Sequence, residues 1–362
     1  MIALIGESWG ENEERLQRPF VGTSGLELAK MCDEAGIIKM SFHDRSMAQA
    51  YWSTRDPKFV AAIWDAHPEL YLTNVFNIRP RPTNDIANLC GSKAQSIPGR
   101  PSLSLGKYIL AKYASELNRL EKELLSLKPN LAIAVGGTAA WALLGQPGIL
   151  KIRGTVAWSN LGIKCIPIVH PAAILREWKL RVITVSDLIK ARRESAFREI
   201  RRPQRAVWTE PSLSDMETFY ETYIRECKLL SIDIETVGTE ITCIGFAPNE
   251  RVSLVVPFVD LRKPDGAYWI NLDHERAAWK FVSRCLRHPC RKVFQNGAFD
   301  LSILYNVYGL ATAGECEDTM LLHHALQPEM QKGLGFLGSV YTNEPAWKLM
   351  RSKHMETLKR DE

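Results

Sequence analysis

The sequence predicts an α/β protein of two domains, and three observations predict it. The 362 residues, 46% hydrophobic, suffice for two cores at roughly 100 to 200 residues per domain. The first half alternates short, continuous apolar runs with amphipathic stretches, the pattern of a parallel sheet covered on both faces, an α/β/α layering. In the second half three runs rich in β-branched residues follow one another before helical patterns take over, which predicts antiparallel neighbours within a mixed sheet. An Arg-rich, Pro-containing segment separates the halves, setting the domains at 1–198 and 211–362 with a linker at 199–210.

The elements follow in order. "MIALIG" reads as a strand, "SGLELAKMCDEAGI" as a helix and "LYLTNVF" as a strand. A long helix over "LGKYILAKYASELNRLEKELLSL" precedes the strand "NLAIAVGG", the helix "TAAWALLG" and the strand "IKCIPIVHP". After the helix "LRVITVSDLIKARRES", the second pattern opens with a short strand in "RAVWT" and a helix capped by Ser214 or Asp215. The strands "LLSIDIET", "ITCIGFAP" and "RVSLVVPFV" come next, and helices dominate from His274.

A net charge of +5 permits a polyanionic partner without requiring one. Basic residues cluster in "KARRESAFREIRRPQR", read here as a solvated helix face in preference to a phosphate-tracking edge. The eight cysteines show no Cys-x-x-Cys pair, as expected of reduced thiols. Cys285, His288 and Cys290 read as the end of a core helix rather than as zinc ligands. No apolar run approaches a membrane span and the N-terminus lacks a signal-peptide pattern, so a soluble protein of the bacterial or phage-infected host cytosol is expected, with no membrane partner.

Asp233 and Glu235 interrupt the apolar run "LLSIDIET". In a strand they share one face while Leu230, Ile232 and Ile234 pack. Two adjacent carboxylates repel, and a divalent cation relieves the repulsion. "VFQNGAFDLSIL" supplies Asn296, Phe299 and a third acid, Asp300, at a helix start. Asp-x-Glu on a strand followed by Asn-x-x-Phe-Asp resembles the first two motifs of the DEDD 3′-5′ exonucleases, within the ribonuclease H-like fold. The stretch from "EDTMLLHHALQPE" onward is similar to the proofreading domain of phage family A DNA polymerases. The resemblance implies that Asp233, Glu235 and Asp300 hold two Mg²⁺ or Mn²⁺ ions for hydrolysis of a phosphodiester at a single-stranded 3′ end, that Asn296 orients the helix start, and that Phe299 is a core residue. It also calls for a last aspartate in a Tyr-x-x-x-Asp or His-x-x-x-x-Asp motif. After Asp300 the chain offers only Asp318 and Asp361, which fit neither, and the His324 to Glu329 spacing falls in a packing helix.

In the first half "LIGESWGENEERLQRPFVGTSG", "LTNVFNIRP", "PNLAIAVGGTAAWALLG" and "IVHPAAILR" follow in an order that resembles the family 4 and 5 branch of the uracil-DNA glycosylases. An extruded uracil needs an aromatic face, an amide to read its edge and a donor near O2. The resemblance assigns these to Phe20, Asn74 and His170, with Gly6 to Gly10 lining the pocket, Arg176 pressing on the DNA and Glu13 positioning water. Ser8 and Trp9 stand where the family has Ala-Pro. No iron-sulfur cluster is expected, because the N-terminal cysteine pair is missing and Ile78 replaces a third, leaving Cys90 without partners. The expected whole is a phage-type replication and repair protein acting on DNA, with a DNA polymerase as a further implied partner. The alternative is a non-catalytic DNA-binding accessory subunit, or the N-terminal part of a family A polymerase.

Overall fold

The computed structural model describes residues 1–345 and divides into two compact units, Met1–Arg201 together with 338–345, and Arg202–Leu337. Asp361 and the rest of the C-terminus lie outside the described residues.

In the first unit β1 (Ile2–Ser8) leads to α1 (Glu11–Leu16), α2 (Thr23–Glu34), α3 (Phe42–Thr54) and α4 (Lys58–Asp65), then to β2 (Leu70–Phe76). A small hairpin of β3 (Cys90–Gly91) and β4 (Tyr108–Ile109) precedes α5 (Ala114–Leu127), β5 (Leu131–Val135), α6 (Gly137–Leu144), α7 (Ile149–Ile152), β6 (Ala157–Trp158), β7 (Lys164–Ile168), α8 (Pro171–Ile174) and α9 (Leu180–Glu194). The sheet order is β2-β1-β5-β7-β6, parallel except for β6. Along β1, Ile2 and Leu4 enter one core while Ala3 and Ile5 enter the other, and β5 alternates the same way. Side chains of a strand point to opposite faces, so a strand apolar at every position is buried on both sides. This is the layered parallel sheet predicted from the sequence.

Two readings of this half are corrected, and helix α3 went unread. The long helix expected from Leu105 begins only at Ala114, because Tyr108 and Ile109 pair with the Cys90–Gly91 strand. The apolar residues of α3 form only a weak stripe, and its start is set by a capping box in which Ser41 and Asp44 satisfy each other's backbone N–H. The basic segment is not a simple solvated face. Lys190 and Glu194 are buried: Lys190 Nζ donates to the carbonyls of Gly154 (2.9 Å), Thr342 (2.8 Å) and Ser339, while Glu194 accepts from Lys164 Nζ (3.1 Å) and Asn343 Nδ2 (2.9 Å). The buried Arg153–Asp187 pair completes this seat for the returning chain.

The second unit contains β8 (Ala206–Trp208), α10 (Leu213–Phe219), β9 (Leu229–Val237), β10 (Glu240–Asn249), β11 (Val252–Pro257), α11 (Leu272–Arg287), β12 (Arg291–Phe294), α12 (Gly297–Asn306), β13 (Cys316–Asp318) and α13 (Thr319–Leu326); α14 (Leu334–Tyr341) is the last helix among the described residues. Strand order is β13-β12-β9-β10-β11-β8. The expected antiparallel trio β9, β10, β11 is present, flanked by parallel pairings on both sides, so the sheet is mixed. Helix α10 is capped by Ser212, with Asp215 as its reciprocal partner three residues into the helix rather than as the cap itself.

Candidate active sites

The parallel strands of the first unit deliver their C-terminal ends to a cleft of ≈ 810 Å³. Gly10, Glu13, Phe20, Asn74, His170 and Arg176 all line it. Gly6 does not; it is a buried residue of β1 paired with Asn74, and a side chain there would run into the Asn74 amide and the Phe20 ring. Phe20 is held by its backbone. Its φ is +56°, its carbonyl accepts from Trp64 Nε1 at 2.9 Å, and Gly25 leaves room for that carbonyl. The Asn74 side chain is 2% exposed and its Nδ2 has no hydrogen-bond partner among the described residues; the same is true of Trp9 Nε1, from another residue lining the cleft. A buried donor without a partner is costly, and a ligand that accepts from it removes the cost.

His170 caps α8. Its Nδ1 accepts the Ala172 N–H at 3.2 Å, which puts the ring proton on Nε2. Burial pushes its pKa down to about 4, with the Arg176 charge acting in the same direction, so the imidazole stays neutral and keeps an Nε2–H to donate. Gly136, at φ +97°, makes way for the imidazole.

Glu13 does more than face the cleft. Its two carboxylate oxygens accept N–H groups from Gly10 (3.2 Å), Val21 (3.0 Å) and Gly22 (2.9 Å), tying both glycine turns together. The Gly10 N–H is therefore taken, and the Trp9 N–H is donated to Ile78, so the expected row of backbone donors in this turn is largely satisfied internally. Sequence reasoning missed Glu7. It lines the cleft, its carboxylate accepts a hydrogen bond from the Thr138 hydroxyl, and burial holds its pKa above the usual carboxylate value. The signal was present in "LIGES", where a carboxylate follows directly on an apolar parallel strand.

The first unit offers no thiolate set for an iron-sulfur cluster. Cys32 and Cys165 are buried in separate cores, Cys90 lies by Ile86 O at 3.6 Å, and among the described residues no cluster of metal ligands forms there.

In the second unit Asp233 and Glu235 are exposed on one face of β9, while Leu230, Ile232 and Ile234 enter the core. Strand β12 pairs with β9 only as far as Ser231. Beyond that point the Ile234 N–H needs an acceptor, and Asp300 Oδ1 provides it at 3.0 Å from the first turn of α12. The acid from the distant motif is thus joined to the backbone between the two strand acids. Burial pushes the Asp300 pKa up to about 6, the Ile234 N–H opposes that rise, and the charges of Asp233 and Asp318 add to it. Opposite Asp233 on β10 lies Gly245, without a side chain, and opposite Glu235 lies Cys243, whose thiol pKa is raised by burial and then by the Glu235 charge.

Asp300 feels the charge of Asp233, and with Glu235 on the same face of β9 the three carboxylates offer the hard oxygen donors that Mg²⁺ and Mn²⁺ take, so the residues fit such ions. Among the described residues the three are not all within 4.8 Å of one another. Asp318 is engaged otherwise: its carboxylate accepts from Asn296 (3.0 Å), Gly297 (2.8 Å) and Met320 (2.8 Å), capping α12 and α13 together. Asn296, in the left-handed region at φ +61°, makes the turn into α12 with no side-chain cap of its own. Phe299 is not a core residue; it is 49% exposed, beside Asp300. His324 is exposed on α13.

Residues 1–199 match the family described as the uracil DNA glycosylase superfamily, and residues 213–357 match the family described as 3′-5′ exonuclease. A type-4 uracil-DNA glycosylase of Thermotoga maritima is 26% identical over 196 residues, 53% of this chain and 76% of the relative. Among solved structures, Escherichia coli RNase D, described as an exoribonuclease involved in structured RNA processing, aligns at 19% identity over 39% of this chain and 34% of its own, with a TM-score of 0.29. Trypanosoma brucei RNase D in complex with the RNA U12 aligns at 15% identity over 41% of this chain and 51% of its own, with a TM-score of 0.32. The chain therefore spans about a third and a half of these two structures.

Proposed function

This chain belongs to the uracil DNA glycosylase superfamily, and from that premise we propose that it joins two DNA-processing activities, uracil excision in the first unit and metal-dependent 3′-5′ hydrolysis in the second. The observation that carries the first is the unpartnered Asn74 amide beside Phe20 and the neutral His170 in one cleft. Uracil turned out of the DNA stacks on Phe20, and Asn74 pairs with its edge. As the glycosidic bond breaks, the electron pair moves onto the base, and the His170 Nε2–H donates to the charge developing on O2. Water completes the reaction at the sugar carbon, positioned by Glu13 or by Glu7. Arg176, exposed at the mouth, meets the DNA backbone.

In the second unit Asp233, Glu235 and Asp300 hold the divalent ions. Held there, Mg²⁺ or Mn²⁺ would supply Lewis-acid polarisation of the scissile phosphate and a more acidic water. Asp300, anchored through Ile234 N–H, fixes the third carboxylate relative to the strand pair, and Phe299 offers an exposed ring beside it for the terminal base. Such a pair of sites suits the removal of replication errors in a phage-type system alongside a DNA polymerase, a proofreading-like role. The engagement of both Asp318 oxygens by backbone donors favours a second reading, in which the nuclease half only binds DNA.

The test is direct. Purified chain is incubated with a uracil-containing oligonucleotide and then alkali, and separately with Mn²⁺ and 3′-labelled single strands. Cleavage at uracil that is lost in Asn74→Ala, and nucleotide release that is lost in Asp233→Ala, support the proposal. Intact strands in both assays overturn it, and DNA retention without release leaves the binding reading for the second unit.

A further inference from the structure

The ends of β9 and β12 opposite the carboxylates carry a different chemistry. Cys227 stands two residues before β9 and Cys290 one residue before β12, and these strands run parallel with Arg291 opposite Leu229. His288 lies between α11 and Cys290. One ligand atom from each of Cys227, His288 and Cys290 lies within 4.8 Å of the other two. Cys290 is buried and the other two are half-buried.

Two backbone groups fix the tautomer and orientation of the imidazole. Its Nε2 faces the Arg225 carbonyl at 3.1 Å, to which it donates, while Nδ1 accepts the Cys290 N–H at 3.2 Å. The proton is therefore on Nε2, and the Nδ1 lone pair is held by the Cys290 N–H, a hydrogen bond it gives up on taking a cation. A histidine ligand characteristically donates its other ring N–H to a backbone carbonyl, which fixes its tautomer and orientation. The ring also stands edge-on to Tyr220, with centroids 6.2 Å apart. The backbone that carries two of the three ligands is anchored by Lys292, which is fully buried and donates to the carbonyls of His288, Cys290 (2.9 Å) and Ala313 (2.7 Å).

We propose that Cys227 Sγ, Cys290 Sγ and His288 Nδ1 bind a thiophilic divalent cation, zinc by the chemistry of its donors, clipping together the entries of the two strands that lead to the acidic site. Two sulfurs and an imidazole nitrogen suit zinc, whereas the carboxylates at the far end suit magnesium or manganese, so one domain sorts two kinds of metal by donor softness. Zinc takes the thiolate form of cysteine, so its binding releases thiol protons to solvent. Cys285, the cysteine that spacing pairs with His288, is instead buried in the core.

The test uses the full chain, reduced and stripped of metal, with Co²⁺ as the probe. The expected result is a single equivalent of Co²⁺ bound with thiolate-to-cobalt charge-transfer absorption, displaced by Zn²⁺, lost in Cys227→Ser and Cys290→Ser and kept in Cys90→Ser. On the unsubstituted chain, Zn²⁺ should slow alkylation of Cys227 about tenfold or more, because the thiolate is the reactive species and coordination withdraws it, while Cys90 is unaffected. Absence of the absorption in the reduced wild-type chain, its survival in both serine variants, or Cys227 labelling indifferent to zinc would each overturn the site.

Discussion

His170 shows how much one residue's surroundings decide. Burial and the Arg176 charge keep its imidazole neutral, and protonation sets in only as pH falls through about 4. Uracil excision should accordingly stay level between about pH 5 and 8 as far as this group is concerned, without the inflection near 6.5 that an unperturbed histidine would impose. His170→Ala should reduce the rate on the order of 10²–10³-fold, the usual effect of losing one donor to a developing oxyanion. A pH–rate profile under single-turnover conditions checks both. Asp300 has the opposite sign. Its carboxyl pKa, raised to about 6 chiefly by burial, means that its neutral form favours the folded state. That stabilising contribution is complete below the ordinary carboxylate range and is lost as pH rises through about 6. In chelator, thermal melts of the wild type should therefore lose stability across that window, and Asp300→Asn should abolish this component. An unchanged pH dependence in the variant would refute the assignment. The strand acids and Asp300 were legible in the sequence because strand alternation and motif spacing are local signals. Phe299 was not: an aromatic in an apolar helix pattern reads as core until the packed side of the helix is known. Cys227 was invisible as a partner of His288, since about sixty residues separate them and only strand pairing unites them.

At the scale of elements, two devices hold the sites in shape. Asp318 caps α12 and α13 with one carboxylate, so Asp318→Ala removes acceptors from two helix starts. It should cost about 1–2 kcal/mol of unfolding free energy in denaturant titration, the usual range for an N-cap, and depress nuclease activity by unseating Asp300. Gly6 lets β1 and β2 bring Asn74 and Phe20 together. Gly6→Ala should cost about 1–3 kcal/mol through overpacking and lower uracil excision more than nuclease activity. The longer strands of both sheets were readable, since runs apolar at every position and β-branched alternation are strong signals, whereas the short β6, β12 and β13 were not read. Helix α3 was not readable either, because its apolar residues are spread around the helix rather than gathered in a clear stripe, and its start is marked by a capping box. The late start of α5 was equally hidden, since the residues before it join a hairpin whose partner strand lies elsewhere in the chain.

At the scale of the molecule, the fold class and the order of its two halves followed from where apolar runs changed character. The return of the chain after Gly338 to the first unit did not. It depends on the buried Arg153, Asp187 and Lys190, which a sequence shows only as ordinary charges. Two sites on separate units, one needing divalent ions and one not, should respond independently. The most direct measurement is a single oligonucleotide carrying an internal uracil and a 3′ label, treated with the chain in chelator or in Mn²⁺. The account predicts an alkali-labile break at uracil in both conditions and release of the 3′ label only with Mn²⁺. Loss of the uracil break on chelation, or release of the label in chelator, would contradict it.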